Sequence, residues 1–212
     1  FRFDRERDLK GVFRYWPNRI TAMRFAGSIV LFGILHTLAD VPMESIGDHR
    51  GVVQAAFWLF VITAATDYLD GYLARRDHHV TAFGRIADPF TDKVLILGAM
   101  IFAAVSPWMR DLLPAWIVVI ILAREFLVTG IRGYVESVGE EFPADGLGKI
   151  KMIVQCIAVG GVLWIHAFPW PDAWREAWVV VTQILVWITL LATVGSGATY
   201  VLKARKILGG IN

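Results

Sequence analysis

Asp67-Tyr68-Leu69-Asp70-Gly71-Tyr72-Leu73-Ala74-Arg75, continuing after a polar interval to Gly84-Arg85-Ile86-Ala87-Asp88-Pro89-Phe90-Thr91-Asp92-Lys93, decides how this chain is read. Apolar runs flank it on both sides, from Val52 to Ala65 and from Val94 to Val105. Asp67 and Asp70 are three residues apart, and Asp88 and Asp92 four apart. At those spacings two side chains share one helix face, with Cβ atoms about 5–6 Å from each other. An aspartate inside a membrane helix costs about 2.5–3.5 kcal/mol at mid-bilayer and less near the interface. Four in proximity also repel one another. A single aspartate would be read as a surface salt bridge, but two facing pairs need more than Arg75 and Lys93 to balance them. Two divalent cations would match four carboxylates in formal charge. Oxygen-only ligands suit Mg²⁺, Mn²⁺ or Ca²⁺ better than zinc. Two such ions make a clamp for phosphoryl displacement.

Outward from this stretch, the composition agrees with a membrane setting. Of 212 residues, 56% are hydrophobic and 19% charged, too apolar a balance for an ordinary soluble domain. Apolar segments of nearly bilayer-spanning length recur, and predict an all-α integral membrane protein with six spans. These run roughly over 19–39, 51–74, 83–105, 113–135, 147–168 and 176–202, divided by breakers such as Asp40-Val41-Pro42, Ser106-Pro107, Glu141-Phe142-Pro143 and Pro169-Trp170-Pro171. Lysine and arginine gather before the first span, after the second and fourth, and at the C-terminus, whereas the other loops carry Arg50, Arg110 and Arg175. The positive-inside rule then places both termini in the cytoplasm. Trp108, Trp116, Trp164, Trp170, Trp174 and Trp178 cluster around the opposite loops, as an interfacial belt or as helix packing. Residues 1–19 are charged and polar between aromatics rather than signal-like. Leu9, Val12, Phe13 and Trp16 follow i, i+3, i+4, i+7, predicting a short helix on the cytoplasmic surface over 1–16, ahead of a membrane domain over 17–206. Cys156 is the only cysteine; it excludes an intrachain disulfide and reads as a small buried hydrophobe.

The pattern Asp-x2-Asp-Gly-x2-Ala-Arg-x8-Gly-x3-Asp-x3-Asp, from Asp67 to Asp92, resembles the signature of the CDP-alcohol phosphatidyltransferase family, with every fixed position filled. The resemblance runs from about Pro17 to Lys206. It includes Asn18, Thr21 and Arg24, then Ala123-Arg124-Glu125 with Arg132, then Gly148-Lys149-Ile150-Lys151, and finally Ser196 to Tyr200. It is strongest toward the branch whose acceptor is glycerol 3-phosphate. What it implies is a homodimer with a cytoplasm-facing polar cavity in a bacterial inner membrane, and two Mg²⁺ or Mn²⁺ ions. Asp67, Asp70 and Asp88 map to metal ligands; Asp92 maps to the general base and a further metal contact. Asn18, Thr21, Asp67, Gly71, Ala74, Arg75 and Gly84 map to the CDP-lipid site. CDP-diacylglycerol, glycerol 3-phosphate and membrane lipid are the implied partners.

Arg124 and Arg132 interrupt an apolar span eight residues apart, so they lie close to one face, and Lys149 and Lys151 enter the next span. Arginines in such places need anions, and phosphate accepts their bidentate fork. These four residues are the expected pocket for the acceptor phosphate. The alternatives are snorkelling of Arg132 to the interface and pairing of Arg124 with Glu125 or a signature aspartate. His78-His79 sit in a short polar loop without a third ligand, and the N-terminal charges alternate in sign, which argues against nucleic acid. Competing functions keep the chemistry but change the acceptor, to inositol phosphate or to phosphatidylglycerol. A more distant one is an ion-coupled transporter, against which stands the lack of inverted repeats.

Overall fold

The computed structural model describes the backbone of residues 16–77, 82–139 and 146–208, and the side chains of 18–66, 90, 91, 93–139 and 151–205. Six α-helices and one 3-10 helix account for nearly all of it: α1 (Trp16–Thr37), η1 (Met43–His49), α2 (Arg50–Asp77), α3 (Ala82–Val105), α4 (Ala115–Ser137), α5 (Gly146–Ala167) and α6 (Asp172–Leu208). No strand occurs among the described residues. The surface helix expected over 1–16 and the loop with Glu141-Phe142-Pro143 lie outside the described residues, save that Trp16 opens α1.

Local chemistry explains where the helices stop. Pro42 and Pro114 stand at the N-caps of η1 and α4 in extended conformation (φ −64° and −62°), which suits a residue that has no N–H to donate. Pro171 serves α6 similarly, its carbonyl accepting from Arg175 N at 2.9 Å. At the end of α4, Gly139 takes φ +83° and donates back to the Glu136 carbonyl at 3.1 Å, the left-handed terminus that glycine allows. Pro89 lies inside α3 directly after Asp88, so the Arg85 carbonyl has no helical donor there. The helices match the six apolar segments, but α6 overruns its segment at both ends. Its 37 residues span about 56 Å, against about 30 Å of hydrocarbon. Hydropathy marks the apolar slab, whereas backbone hydrogen bonding carries the helix on through Lys203.

The helices close into a ring in the order α1, α2, α5, α6, α4, α3, with α3 also touching α5 across the middle. Leu31, Leu35, Phe60, Met100, Ile121 and Leu163 fill the centre and are almost wholly buried. Close approach of α1 and α3 depends on Gly98, where a Cβ would lie 2.1 Å from Phe32 Cζ. At the end away from the aspartate segments, Trp108 Nε1 donates to the Leu38 carbonyl at 3.0 Å and its ring stands edge-on to His166. Trp164 packs with Phe57, Phe168, Trp170 and Trp178. Packing therefore accounts for Trp108, Trp164, Trp170 and Trp178, while Trp116, half exposed against Trp187, and Trp174 face outward, as belt residues would. Cys156 is half-buried rather than buried. It lines an apolar groove of about 580 Å³ between α2, α5 and α6, where small Gly160 and Gly161 leave room that a core position would not.

The outside of the ring is apolar. Met23 (72% exposed), Phe126 (72%) and Leu191 (68%) are among many large hydrophobic side chains that face outward along α1, α4 and α6. A water-soluble monomer rarely shows continuous apolar surface of this extent. Two described stretches, Asn18–Thr37 and Asp172–Arg205, are long and apolar enough to cross a membrane. The apolar parts described in α3 and α5, Lys93–Val105 and Lys151–Ala167, are shorter. In α4 the run is broken by Arg124, Glu125 and Arg132.

Candidate active site

Helices α2 and α3 are consecutive, touch each other lightly and both pack on α1; they are joined across 78–81, where His78 and His79 lie outside the described residues. Counting back from Asp77, the end of α2, Asp70 and Asp67 are seven and ten residues away; counting from Ala82, Asp88 and Asp92 are six and ten residues into α3. At about 1.5 Å per residue, Asp67 falls level with Asp92, and Asp70 nearly level with Asp88. The backbone thus brings all four aspartate positions to one end of one helix pair. Gly71, Ala74, Arg75 and Gly84 occupy the same end. The side chains of Asp67, Asp70, Ala74, Arg75, Asp88, Asp92 and Lys149 lie outside the described residues. Among those that are described, no three His, Cys, Asp or Glu gather as a metal-binding group.

Next to this segment α1 contributes a buried polar face. Asn18, Thr21, Arg24 and Ser28 recur at three- and four-residue steps and are all at least 98% buried. The Ser28 hydroxyl donates to the Arg24 carbonyl at 2.9 Å, satisfying its own proton within the helix. So polar a stripe, enclosed among apolar helices, is costly unless every group finds a partner. Asn18 and Thr21, expected in the CDP-lipid site, both lie on this stripe.

The best-defined polar cluster centres on Glu125 of α4. Arg124 Nη1 donates to Glu125 Oε1 at 2.9 Å, Lys151 of α5 donates to the same oxygen, and Lys93 of α3 lies 3.7 Å from Oε2. Lys93 Nζ also donates to Thr129 Oγ1 at 2.7 Å, and Thr129 donates in turn to the Glu125 carbonyl at 2.7 Å. Arg124 Nη2 reaches Ser196 Oγ on α6 at 2.8 Å. Its guanidinium carbon and that of Arg132 lie 5.4 and 5.9 Å from the Tyr200 ring centroid, within cation–π range. Arg132 Nη2 donates to the Tyr200 hydroxyl at 3.1 Å. Gly197 lets the Arg124 stem pass, because a Cβ there would stand 3.0 Å from Arg124 Cγ.

Of the four basic residues expected to hold acceptor phosphate, Arg124, Arg132 and Lys151 are therefore drawn into one connected group. The Arg124–Glu125 pairing, an alternative to phosphate binding in sequence terms, is present, yet it does not exhaust the donors. Arg124 Nε and Arg132 Nε are buried with no hydrogen-bond partner among the described residues. Sequence reasoning gave Glu125 only as a possible partner of Arg124, left Thr129, Ser196 and Tyr200 without a role, and gave Lys93 only to charge balance. A signal existed for Glu125: an acid in an apolar helix beside several buried cations must be their counter-ion.

Residues 14–195 match CDP-alcohol phosphatidyltransferase, and the chain belongs to that family. It is 36% identical over 201 residues to the CDP-diacylglycerol–glycerol-3-phosphate 3-phosphatidyltransferase of Bacillus subtilis (strain 168), covering 91% of this chain and 96% of that protein. The enzyme of the same name from Haemophilus influenzae is 30% identical over 189 residues, covering 85% and 95% of the two chains. A probable phosphatidylglycerophosphate synthase of Mycobacterium tuberculosis is 36% identical over 166 residues, covering 78% and 73%.

Proposed function

We propose that this phosphatidyltransferase moves the phosphatidyl group of CDP-diacylglycerol onto sn-glycerol 3-phosphate, forming phosphatidylglycerophosphate and CMP in phospholipid biosynthesis. The observation that carries the choice of acceptor is the surplus of cations around Glu125, beside the aspartate segment. A neutral acceptor would have no use for it, whereas a phosphate dianion would balance it. The similarity to enzymes named for glycerol 3-phosphate, over most of their length, supports the same choice.

In this reading Asp67, Asp70, Asp88 and Asp92 hold two divalent ions, Mg²⁺ or Mn²⁺. Four carboxylates at matched depth on adjoining helices are a donor set of the right kind for hard cations. When bound, such ions neutralise charge on the diphosphate and on the leaving CMP. Asn18, Thr21, Gly71, Ala74, Arg75 and Gly84 receive the CDP headgroup. Arg124, Arg132, Lys149 and Lys151 hold the acceptor phosphate and so orient its free hydroxyl, converting binding energy into alignment. Asp92 takes the hydroxyl proton as that oxygen attacks the lipid-side phosphorus, and the bond to CMP breaks.

The apolar exterior supports six membrane crossings, with the site facing the cytoplasm of a bacterial inner membrane. The membrane domain covers 17–206, and two copies assemble as a homodimer, to be checked by chemical cross-linking in native membranes. The decisive assay uses purified protein and CDP-diacylglycerol with glycerol 3-phosphate, glycerol, inositol phosphate and phosphatidylglycerol in parallel. CMP release and the lipid product are followed. Glycerol 3-phosphate should be preferred by a wide margin; equal use of unphosphorylated acceptors would remove the phosphate-pocket assignment.

A further inference from the structure

Glu125 sits where three helices converge, and its carboxylate is shared by cations from each. Arg124 and Lys151 meet at Oε1, Lys93 approaches Oε2, and both Glu125 and Lys151 are more than nine-tenths buried. One negative charge against these three positive ones leaves a net positive charge at the site, which an anionic phosphate would balance. Without the carboxylate, three cations would repel across a few ångströms of weakly screened interior. The long lysine and arginine chains would then move apart toward water. With it, the ammonium of Lys151 and the guanidinium of Arg124 are held within reach of one point, and Arg124 Nε keeps a proton that no described residue accepts.

We propose that Glu125 is a positioning residue for the acceptor phosphate, an inference that rests on the acceptor assignment above. It gathers Lys93, Arg124 and Lys151 before the acceptor arrives, so that the phosphate meets a formed cationic cluster and does not have to assemble one. Thr129 fixes Lys93 from one side, and Ser196 fixes Arg124 from the other. A merely structural carboxylate, pinning α3, α4 and α5, would affect both substrates and thermal stability alike. A positioning residue acts on the phosphate-bearing substrate.

The test is steady-state kinetics of the full-length protein in detergent–lipid micelles, wild type against Glu125→Gln and Glu125→Asp, with inorganic phosphate as a competitive probe. Glu125→Gln should raise KM for glycerol 3-phosphate and Ki for inorganic phosphate about tenfold or more, the scale of one charge-assisted contact. KM for CDP-diacylglycerol should stay within about twofold. Glu125→Asp, which restores the charge one methylene short, should recover part of the loss. Equal rises for both substrates, no rise for glycerol 3-phosphate, or an Asp variant no better than Gln would each overturn the proposal. Should the Gln variant not survive purification, the Asp variant decides: values indistinguishable from wild type would then overturn it. If wild type shows no preference for glycerol 3-phosphate over glycerol, the acceptor assignment fails by itself. Inhibition by inorganic phosphate still judges Glu125 in that case, and no change in Ki between wild type and Gln counts against it.

Discussion

Single carboxylates and guanidiniums carry the chemistry, and each answers to a different substrate. Asp67→Ala, Asp70→Ala and Asp88→Ala should each reduce CMP release by orders of magnitude while the protein still melts cooperatively, because each removes charge compensation at the reacting diphosphate. Asp92→Asn keeps the size and loses the basicity, so CDP-diacylglycerol binding should survive while turnover collapses; parallel loss of both would make Asp92 a ligand only. Substantial turnover in any of the three alanine variants would sink the metal assignment. Arg124 presents a different case. Arg124→Ala removes a guanidinium bonded to Glu125 and Ser196 and stacked on Tyr200. KM for glycerol 3-phosphate should rise roughly ten- to a hundredfold, with little change for CDP-diacylglycerol. A rise for the lipid substrate of the same size would show that Arg124 serves the bundle and not the acceptor.

At the scale of the helix, small residues decide how closely elements approach. Gly98 has no spare space: the Phe32 ring occupies what would be its side-chain volume. Gly98→Ala forces that ring, which stacks on Phe102 at 5.8 Å, to shift between α1 and α3. Overpacking of this kind costs about 1–3 kcal/mol, and a melting curve in detergent should show a Tm several degrees below wild type. An unchanged Tm would mean that α1 and α3 are not held at this separation. Such a change lies more than one turn from Asp92 along α3, so activity at low temperature should fall less than stability does.

The whole molecule answers to its solvent. With apolar side chains outward on nearly every helix, the chain should stay with membranes through washes in high salt or alkaline carbonate and leave them only in detergent. Release by salt alone would contradict the reading of the exterior as lipid-facing. Orientation follows from charge. In a Cys156→Ser background, a cysteine at Asp48 in η1 should react with an impermeant maleimide added outside intact cells, and one at Ser137, the end of α4, should not. The reverse pattern would put the aspartate end on the wrong side for a soluble, phosphorylated acceptor.

What the sequence by itself determined is substantial: the helical class, six segments, their breakers, and the aspartate signature with its spacing. Each of these is a local property, set by apolar run length, by proline and glycine at the ends, and by i, i+3 and i+4 periodicity within one helix. Even the matched depth of Asp67 with Asp92 follows from two helices joined by a short connection. Tertiary structure alone joined Lys93, Ser196 and Tyr200 to Arg124 and Lys151, because the five come from four helices whose order around the ring no single segment encodes. It also decided which tryptophans pack and which face outward, and that Cys156 lines a groove. Glu125 shows the difference most clearly. In the sequence it is an acid next to an arginine, one possible pair among several. In the bundle its two oxygens collect cations from three helices, because one buried carboxylate is the nearest counter-charge for all of them.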